Sequence, residues 1–426
     1  MTGRIAIIAG ARTPFCKAFG ALAKLEADAL GAHAVKETLA RSGLAPEDVD
    51  ELIFGNVMQP PHLANIARII GVKGGLPIRC PAVTVSRNCA SGMEAVVLAA
   101  DKIRLGQATL MMAGGAEAMS QISVQFPNEM RLFLMRLNKA RNVWQRLGVL
   151  SSVRPRFFKP VLPGLDDPLC GLNMGQTAEV LVREFKISRD EQDRYALASQ
   201  QRAAKAREEG RLAEEIAPLP LPPDYGSLQV DDDGIRDGST LEGLAKLRPV
   251  FDKRTGTVTA GNASQLTDGA VAMILMSEEE AQARGLQPIA YLGHYAAVGL
   301  EPSRMGLGPA YATAKLLQET GRQLSDFDLI EINEAFAAQI LAVEKAFASR
   351  DFAKKELGLD RPVGELNHNI LNVNGGAIAL GHPLGASGAR LILTLALELR
   401  RRNKQLGLAT LCVGGGQGQA ITIEAS

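Results

Sequence analysis

The sequence predicts an α/β protein built from two duplicated units, and three observations carry the prediction. Segments recur in pairs along the chain, Ala/Leu-rich helices alternate with short apolar strands, and a Pro-rich, charge-rich stretch interrupts the pattern. A length of 426 residues also exceeds the usual size of one domain.

The repeats are specific. Residues 29–56 share a plan with 309–333: an Ala/Leu-rich helix, an acidic turn and an apolar strand, both finishing on Asn. ASG at 90–92 opens an apolar helix, and ASG at 386–388 is expected to open another. GQATLMMAGG at 106–115 reappears as GLATLCVGGG at 407–416, each read as a strand entering a glycine turn. Alternating helices and strands predict parallel sheets covered by helices. The expected divisions are 1–120 with 250–285 for one unit, 286–426 for the other, and 121–249 for an inserted loop domain. Within the insertion, Ser188 and Glu191 form a capping-box pattern that starts a solvated helix ending at Gly210.

Composition narrows the function classes. A formal charge of +1 and an aromatic content of 4% give no general drive toward nucleic acid. Five cysteines without C-x-x-C spacing indicate neither a disulfide framework nor a zinc site. Residues 1–10 read as a strand rather than a secretory leader, no apolar run reaches membrane-spanning length, and the EAS tail is not a peroxisomal address. The expectation is a soluble cytoplasmic protein with reduced thiols.

Four residues stand where chemistry is expected. Cys89 lies where a β-branched strand meets a helix with apolar positions Met93, Val96, Val97, Ala100 and Ile103. A helix N-terminus favours thiolate, although the segment alone also fits an inert buried cysteine. His382 occupies the corresponding glycine-rich turn of the second half, where an imidazole can take a thiol proton or bind an oxyanion. Read alone, that turn also fits a phosphate-binding loop. Cys412, at the position of Met111 in the first repeat, ends a strand before Gly414-Gly415-Gly416 and is either an acid/base thiol or a core cysteine. Asn333, between a strand and a helix, reads as an N-cap with the helix entered through Glu334, or as an amide holding a water on a substrate carbonyl.

Together, the Cys89 turn, NEAF at 333–336, GHPLGASG at 381–388 and CVGGGQG at 412–418 resemble the thiolase family in content and order, across nearly the whole chain. Arg12-Thr13-Pro14, AGGAEAMS at 113–120 and TVTAGNASQLTDGA at 257–270 extend the likeness. The resemblance implies a five-layered α-β-α-β-α core of two βαβαβαββ-type units and a homodimeric or homotetrameric assembly. It implies 3-ketoacyl-CoA thiolysis in fatty-acid β-oxidation, with coenzyme A and acyl-CoA as substrates, no prosthetic group and no metal. By similarity Cys89 is the acylated nucleophile, His382 its activator, and Cys412 the acid/base. His382 and an Asn333-bound water would form one oxyanion site, and the amides of Cys89 and Gly414 the other. Ser264, Ala263 and Met174 resemble positions lining the pantetheine and acyl tunnel.

Two features bear on the subtype. Asn173-Met174-Gly175 stands where short-chain biosynthetic thiolases show His-Met-Gly, which argues against a preference for acetoacetyl-CoA. Residues 130–165 carry basic residues from Arg131 to Lys159, interleaved with Leu, Phe, Met and Trp144, and no Asp or Glu. This resembles the longer loop of thiolase subunits in fatty-acid oxidation complexes, and fits docking on an anionic membrane or on an acidic α-subunit with hydratase and dehydrogenase activities, or equally the steering of CoA phosphates or a solvated loop. A β-ketoacyl synthase would use two His, or His and Asn, in place of Cys412. A non-catalytic CoA-binding scaffold would lack one of the four residues, and none is lacking.

Overall fold

The structure, a computed structural model, describes residues 3–160 and 166–426. The first unit runs β1 (Ile5–Arg12), a short β2 (Cys16–Lys17), α1 (Ala27–Ser42), β3 (Glu51–Gly55), α2 (Ile66–Lys73), β4 (Ala82–Val85), α3 (Ser91–Arg104) and β5 (Leu110–Ala118). Next come α4 (Asn128–Lys139), α5 (Val143–Leu150), α6 (Met174–Phe185), α7 (Arg189–Glu208), β6 (Leu219–Leu221), β7 (Ser227–Gln229) and α8 (Leu241–Ala245). The chain then returns through β8 (Thr267–Ser277) and α9 (Glu278–Ala283). The second unit runs β9 (Ala290–Gly299), α10 (Gly308–Thr320), β10 (Leu329–Ile332), α11 (Ala337–Ala348) and α12 (Arg350–Glu356). It closes with α13 (Ala377–Leu380), α14 (Leu384–Arg402), β11 (Leu406–Val413) and β12 (Gln417–Ala425).

The strand order is β10-β11-β12-β9-β1-β8-β5-β3-β4, so the two halves join edge to edge where β1 pairs antiparallel with β9. Each half repeats one order from the outer edge inward, except that the counterpart of β4 is reduced to a single bridge between Ile330 and Leu371. The sheet is mixed rather than parallel. β3 pairs in parallel with β4 and β5, and β10 with β11, whereas β8, β1, β9 and β12 pair antiparallel with their neighbours. In the second unit the last two strands, β11 and β12, are joined by a glycine turn short enough only for a hairpin, whereas in the first the whole insertion lies between their counterparts β5 and β8.

Period-two alternation in the strands builds the layers. Met111 and Ala113 of β5 face a central core shared with α3 and α14, whereas Leu110 and Met112 face α1 and α2 on the outside. In the second half Leu411 faces the centre and Leu408 faces α10 and α11. The result is five layers, α-β-α-β-α, with α3 and α14 in the middle. Those helices meet closely because their N-terminal turns lack side chains: a Cβ at Gly92 would stand 2.7 Å from the Gly385 carbonyl oxygen.

Three local expectations change. Gly114 and Gly115 do not form a turn like that after β11; they lie within β5, where a Cβ on Gly115 would overlap the Gly385 carbonyl. Helix α14 begins at Leu384, so the second ASG falls within its opening turns. Helix α7 has the expected capping box but is not a solvated helix, since Tyr195, Ala196, Ser199, Ala203 and Ala206 bury one face. Its charged majority hides a narrow stripe of small residues. The acidic run of the insertion is likewise anchored, Asp232 accepting two hydrogen bonds from the buried Arg12 guanidinium. The basic stretch is described through residue 160; its last residues, 161–165, lie outside the described residues.

Candidate active site

Cys89 follows β4 in a sharp turn whose preceding residue, Asn88, takes a left-handed φ of 45°. Asn tolerates that conformation, and the turn delivers Cys89 just ahead of α3. The thiol does not sit in a thiolate-favouring balance, contrary to the sequence expectation. Burial pushes it up, against hydrogen bonds from the backbone amides of Gly414 and of Cys89 itself, and the nearby Glu117 adds to the rise. A neutral thiol in such a place needs a base. Glu117 is itself pushed up to about 7 by burial, and accepts from the amides of Val57, Met58 and Gly385 and from Asn56 Nδ2.

His382 is buried at the entrance to α14. Burial, reinforced by the Arg390 guanidinium, lowers its pKa to about 4, so the resting imidazole is neutral. Its backbone N–H donates to Thr267 Oγ1 at 3.0 Å, and Nδ1 lies 2.6 Å from Ser387 Oγ. Nε2 lies 3.4 Å from Asn333 Nδ2.

Asn333 is not an N-cap. Helix α11 starts only at Ala337, because pairing with 262–264 keeps 333–336 out of the helix: Ala263 bridges the extended Phe336, Ser264 N–H donates to Ala335 O, and Ala337 N–H donates to Asn262 O. The Asn333 side chain is therefore released toward His382, and its Oδ1 is buried without a protein partner. Glu334 turns the other way, accepting from Tyr195, Ser199, Asn372 and the Ile378 amide. That buried hub, half of it supplied by α7, holds the NEAF strand in place.

Cys412 is buried near the end of β11. Burial raises its thiol far above the ordinary range, and the neighbouring Cys89 adds to the rise, placing the two sulfurs within electrostatic reach. Cys412, Ala263 and Phe336 belong to one apolar cluster, with Met174 and Phe251 packed against it. Met174 opens α6 beside the glycine turn, its Sδ 3.5 Å from where a Cβ of Gly414 would stand, while Asn173 caps the helix. Cys412, Ala263 and Met174 thus share one apolar cluster, His382 and Asn333 face each other, the Cys89 turn is tied to Gly414 through Asn88, and Ser264 donates its N–H to Ala335 O on the strand that carries Asn333.

Several residues of this neighbourhood escaped the sequence reading. Asn88 had a signal, an Asn in a strand-to-helix turn, and Ser387 sits in the ASG repeat. Asp167, whose Oδ2 accepts from Gly415 N–H, carries none.

The chain belongs to the thiolase family: the thiolase N-terminal domain matches residues 5–279 and the thiolase C-terminal domain residues 286–425. Among its relatives is the 3-ketoacyl-CoA thiolase of Yersinia enterocolitica, 44% identical over 422 residues, covering 99% of this chain and 97% of that one. That of Pseudoalteromonas translucida is 43% identical over 425 residues, with the same coverage. Among solved structures, the Bacillus anthracis acetyl-CoA acetyltransferase superposes with a TM-score of 0.87 at 38% identity, covering 100% of this chain and 99% of that one. Human mitochondrial 3-ketoacyl-CoA thiolase in complex with CoA gives 0.85 at 37%, covering 100% and 98%.

Proposed function

We propose that the protein is a 3-ketoacyl-CoA thiolase working in the degradative direction of fatty-acid β-oxidation. The observation that carries the reading is the joining of the two cysteine segments, Asn88 beside Cys89 donating to Gly414 O two residues after Cys412, together with a neutral imidazole facing Asn333. The names of the curated relatives support it, as does Asn173, committed to capping α6 where biosynthetic enzymes carry His.

In this reading His382 Nε2 takes the Cys89 proton and the thiolate attacks the 3-keto carbon. The oxyanion is held by the protonated imidazole and the Asn333 position. The C2–C3 bond breaks, its electron pair passing to C2 of the departing acetyl-CoA, which takes a proton from Cys412. Cys412 thiolate then deprotonates coenzyme A, whose sulfur attacks the Cys89 thioester. The second oxyanion sits between the amides of Cys89 and Gly414, and its collapse expels Cys89, which regains its proton from His382. The reaction uses coenzyme A as substrate and only side chains and backbone as catalyst. Ser264, Ala263 and Met174 line the path of pantetheine and acyl chain.

The same groups running backwards give an acetyl-CoA acetyltransferase, the activity named for the Bacillus anthracis neighbour. Thiolysis rates across 3-ketoacyl-CoA chain lengths separate the two. Activity extending well past four carbons supports the degradative assignment, and activity confined to four carbons overturns it.

The assembly we propose is a homodimer or homotetramer, cytoplasmic and membrane-peripheral. Helices α4 and α5 expose Leu134, Met135, Val143, Trp144 and Leu147 among Arg and Lys side chains, an arrangement suited to an anionic bilayer surface. An acidic α-subunit is the competing occupant.

A further inference from the structure

The Gly414 peptide is held from both sides by residues that the mechanism above does not use. Asn88 Nδ2 donates to Gly414 O at 2.7 Å, and Gly415 N–H, on the same Gly414–Gly415 peptide unit, donates to Asp167 Oδ2 at 2.9 Å. Gly415 and Gly416 both take left-handed φ, 85° and 73°, so the chain turns sharply just after this peptide, while the Gly414 N–H lies on the adjoining Val413–Gly414 peptide at the end of β11, one glycine Cα away from the clamp. Asp167 is buried and, among the described residues, has no cation as a hydrogen-bond or ion-pair partner. Its other oxygen, Oδ1, accepts from Leu169 N–H at 2.8 Å, and its own backbone N–H and C=O bind Leu172 O and Gly171 N–H. The carboxylate is thus a rigid part of the 166–173 loop that leads directly into Asn173 and Met174.

We propose that Asp167, with Asn88 opposite it, is a positioning residue: by holding the Gly414–Gly415 peptide beside the Cys89 turn it keeps the adjoining Gly414 amide directed at the sulfur of Cys89, and it ties the glycine turn to the 166–173 loop. The inference rests on the thiolase reading for its catalytic consequence, but not for its structural one. With the clamp in place, the amide stabilises the Cys89 thiolate in the free enzyme and the thioester oxyanion during turnover. Without it, the glycine turn samples other directions and both effects weaken together. A carboxylate suits the task better than an amide would, because both of its oxygens are accepting.

The test compares the full-length protein with Asp167→Ala and Asn88→Gly; glycine keeps the left-handed backbone while removing the amide. Two quantities are read: the pH dependence of Cys89 alkylation by iodoacetamide, and kcat and KM for thiolysis. The clamp predicts, in both variants, an alkylation midpoint moved to higher pH. It also predicts kcat reduced by about 10- to 100-fold, with KM changed by less than about 3-fold. Folded variants with unchanged alkylation profiles and unchanged kcat overturn it, and if Asp167→Ala does not fold, Asn88→Gly alone decides. A wild-type protein without thiolysis would sink the thiolase reading, while the alkylation profiles would still judge the clamp.

Discussion

His382 and Ser387 share a 2.6 Å hydrogen bond between Nδ1 and Oγ, and it sets the imidazole tautomer. The Ser387 hydroxyl has one proton, which it donates to Pro383 O at 3.0 Å, so its oxygen must accept from Nδ1–H. Nε2 is then left as the free base, on the side facing Asn333. Ser387→Ala is expected to lower kcat by about 10- to 100-fold through loss of that orientation, with KM nearly unchanged. Steady-state kinetics check it; a change in KM alone would place Ser387 in substrate binding instead.

Neutral burial of His382 makes stability depend on pH. Its folded pKa of about 4 lies below the ordinary 6.5, so between those values the unfolded chain takes up a proton that the folded chain refuses. Stability contributed by this site is complete above pH 6.5 and falls as pH drops toward 4, by up to about 3 kcal/mol. Urea denaturation across this window should show a shallower decline in His382→Gln than in the wild type. Parallel curves would mean that the imidazole is not buried in its neutral form.

Close helix packing at the centre rests on absent side chains. Gly115→Ala would drive a methyl group into the Gly385 carbonyl and separate β5 from the start of α14, costing about 3 kcal/mol or more. Gly148→Ala, on the exposed α5 with open space around it, should instead stabilise by roughly 0.5–1 kcal/mol. Thermal denaturation of the two variants measures the contrast, and equal shifts would contradict the five-layer packing.

The basic face of α4 and α5 predicts sedimentation with phosphatidylglycerol vesicles and not with phosphatidylcholine vesicles. Replacing Arg131, Arg136, Arg141 and Arg146 by Gln should abolish it, and Trp144→Ala should weaken it. Binding that ignores the arginines would remove the membrane proposal and leave the α-subunit as occupant.

Much of this architecture was legible because repeated segments announce themselves. The paired strand-and-helix plans exposed the duplication, and GHPLGASG and CVGGGQG located His382 and Cys412. What escaped depended on partners distant in sequence. Gly114-Gly115 and Gly415-Gly416 look alike, yet the first pair continues a strand under α14 and the second turns. Asn333 sits where caps sit, but pairing with 262–264 keeps its segment out of the helix. Helix α7 is charged enough to suggest solvent on all sides, and only the fold reveals that Tyr195 and Ser199 hold Glu334. Likewise the thiol of Cys89 is governed by burial as well as by its helix, and burial is not a local property.

Covalent transfer through Cys89 is tested most directly by mixing the protein with acetyl-CoA, quenching, and mapping the adduct by intact-mass and peptide mass spectrometry. The expected result is one acetyl group per chain on Cys89, lost on adding coenzyme A and absent in Cys89→Ser. No adduct, or an adduct on Cys412 or elsewhere with Cys89 free, would contradict it.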